Sequence, residues 1–430
     1  MAMTAASRSS DPFPPEGLPL EEARRRVLAA LTPLAARERL PLAQALGRVS
    51  AEPVRAAEAV PGFRASIMDG WAIAEADPPA PDRRWRLVGR SAPGAPFARV
   101  LGEGEAIRIL TGAPLPEGAR RVLPQELVTL EPGGDSLGDP RDAAAIRLTG
   151  EAGANPWIRA PDEEAAAGAE LLPAGVRLGP AALGRLASCG VAELQVNARP
   201  RIALLVSGDE LVAAGQARGP GQIWESNGAL LAALLERLGY GVSERRVVAD
   251  DPEALRRALR ELAEGCDVVV STGGVSAGDS DWIRPLLAEL GEVGFWKLFL
   301  KPGRPFAYGR LGERPFFGLP GNPVAAAITA LQLLWPALQT LEGGEVSLLP
   351  RLKVRLASAL RRGAGRPELA RARLQVAADG GLLAVVEGSQ ASSRIGSLQG
   401  ADLLLEIPAE LGALEAGCEL WAQLLRLPLL

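Results

Sequence analysis

The stretch STGGVSAGDSDW, residues 271–282, follows directly on the apolar run CDVVV. A short run of β-branched residues is typical of a strand buried in a parallel sheet. Successive glycines let backbone N–H groups converge on an anion, Thr272 and Ser276 add hydroxyl donors, and a following helix contributes its positive end. The stretch therefore predicts a strand, an anion-binding loop and a helix in succession. The alternative is an ordinary strand-to-helix turn, capped by Asp279 or Asp281.

Strand and helix patterns alternate on both sides of this stretch. RIALLVS and SERRVVAD have the composition of strands, and SNGALLAALLERLGYG and DPEALRRALRELAEG have helical spacing with capping residues at their ends. Repeated strand-helix units predict a doubly wound parallel sheet, which binds ligands beyond the carboxyl ends of its strands. We therefore predict a multidomain α/β fold around such a sheet.

The rest of the chain is divided by its composition and turn signals. Short alternating runs before residue 150 predict a strand-rich insert, and similar runs after residue 347 predict a small β-barrel or sandwich. The predicted units are a disordered tail (1–17), a discontinuous N-terminal linker domain (18–56 and 154–196), the strand-rich insert domain (57–153), the doubly wound domain (197–343) and the C-terminal β-barrel domain (344–430).

Composition excludes several kinds of chemistry. The chain has no histidine, which removes histidine nucleophile systems, imidazole metal sites and histidine acid–base catalysis. Its three cysteines form no CxxC pair, which excludes a zinc or disulfide framework and favours a cytoplasmic location. A net charge of −4 argues against a nucleic-acid partner. The apolar runs are shorter than a membrane span requires, so we expect no membrane partner. Carboxylates, lysines, arginines, hydroxyls and a hard ion such as Mg²⁺ remain.

Two further loops follow predicted strands of the same sheet. VSGDEL (206–211) places two carboxylates on the rim, and GLPGNPV (318–324) forms a rigid turn at a helix start. With the loop at 271–282 they predict one shared site, although Asp209 or Glu210 alone is more often a solvated turn residue and Asp250 also suits a helix start. The predicted loop residues are Ser207, Gly208, Asp209, Glu210, Thr272, Gly273, Gly274, Ser276, Pro320, Gly321 and Asn322.

Two basic segments offer cations to an anionic ligand. In WKLFLKPGRP, Lys297 and Lys301 lie four residues apart, which puts them on one side of an extended strand, and Arg304 follows a turn. A solvated edge strand protected by lysines is an equal alternative. The run at residues 351–373 has eight basic residues and one acid, Glu368, and it either neutralises phosphates across a cleft or forms a solvated face.

The insert carries two more polar turns. Asp69 in SIMDGWA and Thr111 in LTGAPLP each stand beside a glycine. An aspartate and a hydroxyl in rigid loops suit a polar ligand, and they suit turn caps equally well.

Taken in order, eight segments of the chain resemble the molybdopterin molybdenumtransferases, a family similar to the E domain of gephyrin. The segments are SIMDGWA, RILTGAPLP, the acidic run before AGAELL, SGDEL, GQIWESN, STGGVSAGDSDW, FWKLFLKPGRPFAYG and GLPGNPV. The resemblance runs from residue 18 to the C-terminus. It implies that residues 197–343 are a molybdopterin-binding domain and that the chain forms a homodimer, with each cleft between this domain and the insert of the other subunit.

The resemblance also implies a reaction, the last step of molybdenum cofactor synthesis. Such an enzyme converts adenylylated molybdopterin and molybdate into molybdenum cofactor, releases AMP, requires Mg²⁺ and receives its substrate from a molybdopterin adenylyltransferase. Motif by motif, the resemblance assigns functional positions to Asp69, Thr111, Glu210, Asp250, Asp281, Lys297, Lys301, Arg366 and Ser392.

Our hypothesis for these residues is electrostatic catalysis. The glycine loop and the two lysines would hold the pyrophosphate linkage, and Glu210, Asp250 and Asp281 would bind Mg²⁺ or orient molybdate and water. Two other functions remain open, a molybdopterin adenylyltransferase-like enzyme and a non-catalytic molybdopterin-binding scaffold.

The chain departs from the family pattern at four places. Glu164 stands where the family has an aspartate, and Ser393 stands where it has a histidine. Arg120 and Pro124 are also unusual for the family. Because of these departures, the roles assigned to Arg366 and Ser392 in the last domain depend on where the tertiary structure places these residues.

Overall fold

The computed structural model describes residues 14, 16–132, 143–275, 282–386 and 388–425. Most of the predicted tail at residues 1–17 lies outside them. Three residues of the glycine loop with predicted roles, Ser276, Asp279 and Asp281, also lie outside them.

A six-stranded sheet is the centre of the central module, residues 202–341. Its strands, in spatial order, are Val242–Val248, Ile202–Ser207, Val268–Thr272, Arg314–Leu319, Ala307–Leu311 and Gly291–Trp296. The first four are parallel, Ala307–Leu311 runs antiparallel to its neighbours on both sides, and Gly291–Trp296 at the edge again runs in the direction of the first four. The α/β fold class is confirmed, but the sheet is mixed at one edge. Only two residues separate Leu311 from Arg314, and so short a connection permits only antiparallel pairing.

Helices cover both faces of this sheet. They are Asn227–Arg237, Pro252–Gly265, Ile283–Leu290, Pro323–Thr329, the π-helical turn Ala330–Leu334 and Trp335–Leu341. In the strand that begins at Ile202, Leu204 and Val206 pack into the core on one face of the sheet. Ala203 and Leu205 pack into the core on the other face. The strand is therefore apolar throughout because both of its faces are buried.

The segment Pro323–Leu341 is long and apolar enough to cross a membrane, by length and composition. In the structure 94% of its most apolar window is buried inside the protein. Its composition is therefore explained by a position in the core of the central module.

The insert module, residues 65–159, is built on a second six-stranded sheet. Its strands, in spatial order, are Arg121–Pro124, Gly70–Ile73, Glu105–Ile109, Arg84–Ser91, Ala143–Leu148 and Val128–Pro132. Trp71 and Ile73 pack on one face, and Ala72 packs on the other. Two short strands, Ala65–Ser66 and Ile158–Arg159, pair where the chain enters and leaves the module.

The linker module joins residues 37–56 to residues 165–197. Strand Arg37–Pro41 pairs antiparallel with Glu193–Asn197. The other elements are the 3₁₀ turn Leu42–Gln44, the paired strands Val54–Arg55 and Glu170–Leu172, and the helix Pro180–Ser188. The preceding helix, Leu20–Ala29, buries Ala23 and Val27 in the core of the central module.

The C-terminal strands close into a five-stranded barrel, as the sequence predicted. Their order around the barrel is Arg351–Leu356, Leu382–Val385, Glu368–Val376, Leu403–Ile407 and Glu419–Leu424, and a short helix, Gly396–Gln399, precedes the fourth. The barrel is bonded to the central module through Lys301. The Lys301 N–H donates to Pro367 O (2.9 Å), and the Leu369 N–H donates to Lys301 O (2.8 Å).

Candidate active site

A cavity of about 830 Å³ lies where the central module meets the barrel. It is at the carboxyl ends of three parallel strands, the position at which doubly wound sheets bind ligands. Residues from all three predicted loops line it, and so do residues of the barrel. The predicted site residues in its wall are Ser207, Gly208, Glu210, Asp250, Thr272, Gly273, Gly274, Lys301, Arg304, Pro320, Gly321, Asn322, Arg366 and Ser392.

The three loops are held together by polar contacts around Thr272. The Thr272 hydroxyl donates to Pro320 O (2.9 Å) and accepts from Asn227 Nδ2 (2.9 Å). The same Asn227 amide donates to Gly321 O (2.7 Å). Gly273 has φ +94°, and a Cβ there would lie 2.4 Å from Ser207 O. Glycine is therefore required at residue 273 for the loops to approach one another.

Three buried oxygens at this cavity make no hydrogen bond of normal geometry to a described residue, although the Ser207 hydroxyl interacts with the Asp250 carboxyl. They are Ser207 Oγ, Asn227 Oδ1 and Asp250 Oδ1. Buried polar atoms in proteins are nearly always paired, and exceptions often mark a place for a ligand, ion or water. Their presence in residues of the cavity wall supports a polar occupant.

Asp250 is positioned by its neighbours rather than by the helix that follows it. Asp251 caps that helix, accepting from the Ala254 N–H at 2.7 Å. The Asp250 N–H donates to Asp209 Oδ1 (2.9 Å). Asp209 itself does not line the cavity. Burial, and then the negative charges of Asp209 and Glu210, raise the pKa of the Asp250 carboxyl.

The predicted three-carboxylate metal site is only partly within the described chain. Glu210 and Asp250 line the cavity, and Asp281 lies outside the described residues. In the part of the chain that the structure describes, no group of three or more acidic or cysteine residues is placed to hold a metal ion.

The two predicted lysines do not share one face of a strand. The strand ends at Trp296, and Lys297 has a left-handed backbone (φ +72°), so the predicted extended spacing to Lys301 is wrong. Lys301 lines the cavity and Lys297 does not.

The basic run of the barrel contributes one residue, Arg366, to the cavity. Arg351 pairs with Glu406 (2.6 Å) and Arg355 pairs with Asp379 (2.8 Å). The run is therefore not a phosphate-neutralising surface as a whole.

Asp69 and Thr111 meet each other in the insert module. The Thr111 N–H and hydroxyl both donate to Asp69 Oδ1, at 2.7 and 2.8 Å. These bonds lower the pKa of the Asp69 carboxyl. Neither residue lines the cavity formed by its own chain.

Two of the residues that depart from the family pattern, Glu164 and Ser393, lie at different distances from the cavity. Glu164 pairs with Arg185 at 3.2 Å, away from the cavity, whereas Ser393 lies in the cavity wall beside Ser392.

The sequence did not assign roles to several residues of the cavity wall. They include Ile223, Trp224, Glu225, Ser226, Asn227, Pro302, Gly303 and Gln390. The segment GQIWESN contains the first five of these residues, and its only signal in the sequence is its place among the eight segments that resemble the family. The buried Glu225 carboxylate accepts from the Gly228 N–H (2.6 Å) and pairs with Arg245 (2.6 Å), which no spacing rule anticipates.

This fold and cavity define a class of multidomain α/β proteins with a cavity between a doubly wound module and a barrel. Three family models match the chain: the MoeA N-terminal region (domain I and II) at residues 18–190, a probable molybdopterin binding domain at 203–340, and the MoeA C-terminal region (domain IV) at 353–425.

Similar proteins carry the same family name. The molybdopterin molybdenumtransferase of Haemophilus influenzae is 35% identical over 76% of this chain and 78% of its own length. Molybdopterin molybdenumtransferase 2 of Mycobacterium tuberculosis is 32% identical over 89% of this chain and 93% of its own. The crystal structure of a molybdopterin biosynthesis MoeA protein from Pyrococcus horikoshii has a TM-score of 0.75, is 28% identical and covers 95% of this chain and 99% of its own. The chain belongs to the molybdopterin molybdenumtransferase family, and the resemblance seen in its sequence is confirmed.

Proposed function

We propose that the protein is a molybdopterin molybdenumtransferase that inserts molybdate into adenylylated molybdopterin and releases AMP, the last step of molybdenum cofactor biosynthesis. The observation that carries this proposal is the cavity in which cationic side chains, glycine-loop amides and carboxylates meet, in a chain of this family.

The cationic part of the cavity suits the phosphate groups of the substrate. Lys301 comes from the central module and Arg366 from the barrel, and the backbone of Gly273 and Gly274 faces the same space. Charges and N–H groups that are already in place stabilise the negative charge that develops when the phosphoanhydride breaks. Molybdate, also an oxyanion, suits the same donors.

The acidic part of the cavity suits a magnesium ion. Asp250 and Glu210 would hold it, and the buried Asp250 Oδ1 fits this role because hard cations prefer carboxylate oxygens. Asp281, from the glycine loop, is the third proposed ligand. A bound magnesium ion would neutralise charge on the phosphoanhydride.

We further propose that the protein acts as a homodimer. Asp69 and Thr111 are hydrogen-bonded to each other but lie outside the cavity of their own chain, and the segment that leads to Asp69 carries two exposed apolar residues, Phe63 and Ile67. A second subunit would bring this polar pair to the cavity. A cytoplasmic location and a molybdopterin adenylyltransferase as the substrate donor complete the proposal.

The barrel favours this function over an adenylyltransferase. Arg366 and Ser392 lie in the cavity wall, so the barrel is part of the site. An adenylyltransferase built on the central module alone would not need it.

The test is incubation of the purified protein with adenylylated molybdopterin, molybdate and Mg²⁺, with AMP and active cofactor both measured. We expect Asp250→Asn to lower turnover about 100- to 1000-fold, the range for one preorganised electrostatic contact. Asp251→Asn is the matched control because Asp251 is the neighbouring aspartate and only caps a helix.

Unchanged turnover in Asp250→Asn would remove this carboxylate from the mechanism. Substrate binding without AMP release by the wild type would favour the scaffold, and ATP consumption with molybdopterin alone would favour the adenylyltransferase.

A further inference from the structure

Trp224 is an exposed aromatic residue in the wall of the cavity, which polar and apolar groups both line. Its side chain is 48% exposed, and it lies between Ile223, also exposed, and the buried Glu225. A large aromatic surface left open to solvent at a cavity is a common sign of a binding contact, because its burial by a ligand is favourable.

The backbone around Trp224 is fixed to the loop that carries Glu210. The Ile223 N–H donates to Glu210 O, and the Glu225 N–H donates to Val212 O, each at 2.8 Å. Two short parallel strands, Leu211–Val212 and Ile223–Trp224, result from this pairing. The tryptophan is therefore held at a constant position relative to a carboxylate of the cavity.

The indole ring is also held in one orientation. Its Nε1–H donates to Gln216 O (2.9 Å), and the guanidinium carbon of Arg218 lies 3.9 Å from the ring centroid. That distance is well within the roughly 6 Å of a cation–π contact. Arg218 therefore covers one face of the ring, and a flat group would stack on the indole surface that remains exposed.

We propose that Trp224 is the stacking platform for a planar nitrogen heterocycle of the substrate, either the adenine or the pterin ring. The inference rests on the proposed function, since that substrate carries one such ring on each side of its pyrophosphate. Lys301 and Gly273 bind the phosphates, and Trp224 binds a ring at the edge of the same cavity. Stacking would also keep solvent away from one side of the bound ring.

The test measures binding of three probes to wild type, Trp224→Ala and Trp224→Phe by calorimetry. The probes are AMP, a pterin that bears a phosphate monoester, and ribose 5-phosphate, which has no heterocycle. We expect Trp224→Ala to weaken AMP or the phosphopterin about 5- to 150-fold, the range for base–aromatic stacking. Trp224→Phe should restore most of that affinity, and ribose 5-phosphate should bind all three proteins equally. The probe that loses affinity identifies the ring.

Trp421 provides a matched control because it is an exposed tryptophan under an arginine, Arg351, but lies outside the cavity. Trp421→Ala should bind every probe as the wild type does. Equal affinity of Trp224→Ala and wild type for both ring probes would overturn the inference, and so would a parallel loss of ribose 5-phosphate binding. A change in oligomeric state alone would assign Trp224 to a subunit contact instead. If the ring probes behave as expected but no cofactor forms, the proposed function fails while the platform stands.

Discussion

Replacing Glu368 with alanine should both loosen the barrel and displace a cation of the cavity. The Glu368 carboxylate is only 4% exposed and lies 3.2 Å from Lys301 Nζ and 3.2 Å from Arg362 Nε. Lys301 belongs to the central module and lines the cavity, whereas Arg362 is buried in the barrel. One carboxylate therefore connects the two modules next to the site.

The expected loss of stability follows from the burial of its two partners. The Arg362 side chain is 5% exposed and would keep its charge without a carboxylate beside it. Removing one partner of a buried ion pair costs about 3–5 kcal/mol. Arg362 also donates to the carbonyls of Pro408, Leu411 and Arg366. Because these bonds would remain in the variant, we expect a loss at the lower end of that range, about 3 kcal/mol. The Lys301 side chain is 48% exposed, so its contact adds at most about 1 kcal/mol.

Urea unfolding followed by circular dichroism measures this loss. Glu419→Ala is the matched control, because Glu419 lies on the same barrel and pairs with Lys353 at the surface. It should change stability by no more than about 1 kcal/mol.

AMP release by Glu368→Ala, Lys301→Ala and the double variant tests the effect on the cavity. If Glu368 acts by holding Lys301, its replacement should have little further effect once Lys301 is absent. Strictly additive losses of activity, or a loss of stability no larger than that of Glu419→Ala, would refute the reasoning.

Three further predictions concern the glycine loop, the raised pKa and the junction of modules. Gly273→Ala should lower the rate of AMP release more than about 10-fold and the free energy of unfolding in urea by about 1–3 kcal/mol, because φ is +94° and the new Cβ meets Ser207 O. Gly184→Ala is the control, since a Cβ at residue 184 meets open space and should be tolerated. The pKa of the Asp250 carboxyl is raised in the folded state, so the folded state loses stability as pH rises above the ordinary value of about 3.8. Asp250→Asn should therefore be more stable than the wild type at pH 7 and equally stable at pH 3. At pH 7, Mg²⁺ should stabilise only the wild type. Glu342→Ala should cost about 3–5 kcal/mol in urea unfolding, because the fully buried carboxylate pairs with Arg177 (2.6 Å) and accepts from the Tyr240 hydroxyl (2.8 Å); a loss below 1 kcal/mol would contradict this.

Local pattern was enough to predict the elements that frame the site. The apolar run at residues 202–207 is a buried strand, the segment 252–265 is a helix capped by Asp251, and the glycine loops follow the strands. Hydrophobic period, capping residues and glycines act over a few residues, so they can be recognised without knowledge of the fold. The order of the motifs along the chain also identified the family.

Only the tertiary structure decided which side chains meet. Lys301 and Glu368 are 67 residues apart, and their contact depends on how the barrel packs against the central module. Lys297 lies outside the cavity because the backbone turns after Trp296. Trp224 lies in the cavity wall because its short strand pairs with the strand that follows Glu210. Contacts of this kind are set by packing between distant segments, which no local period or spacing encodes.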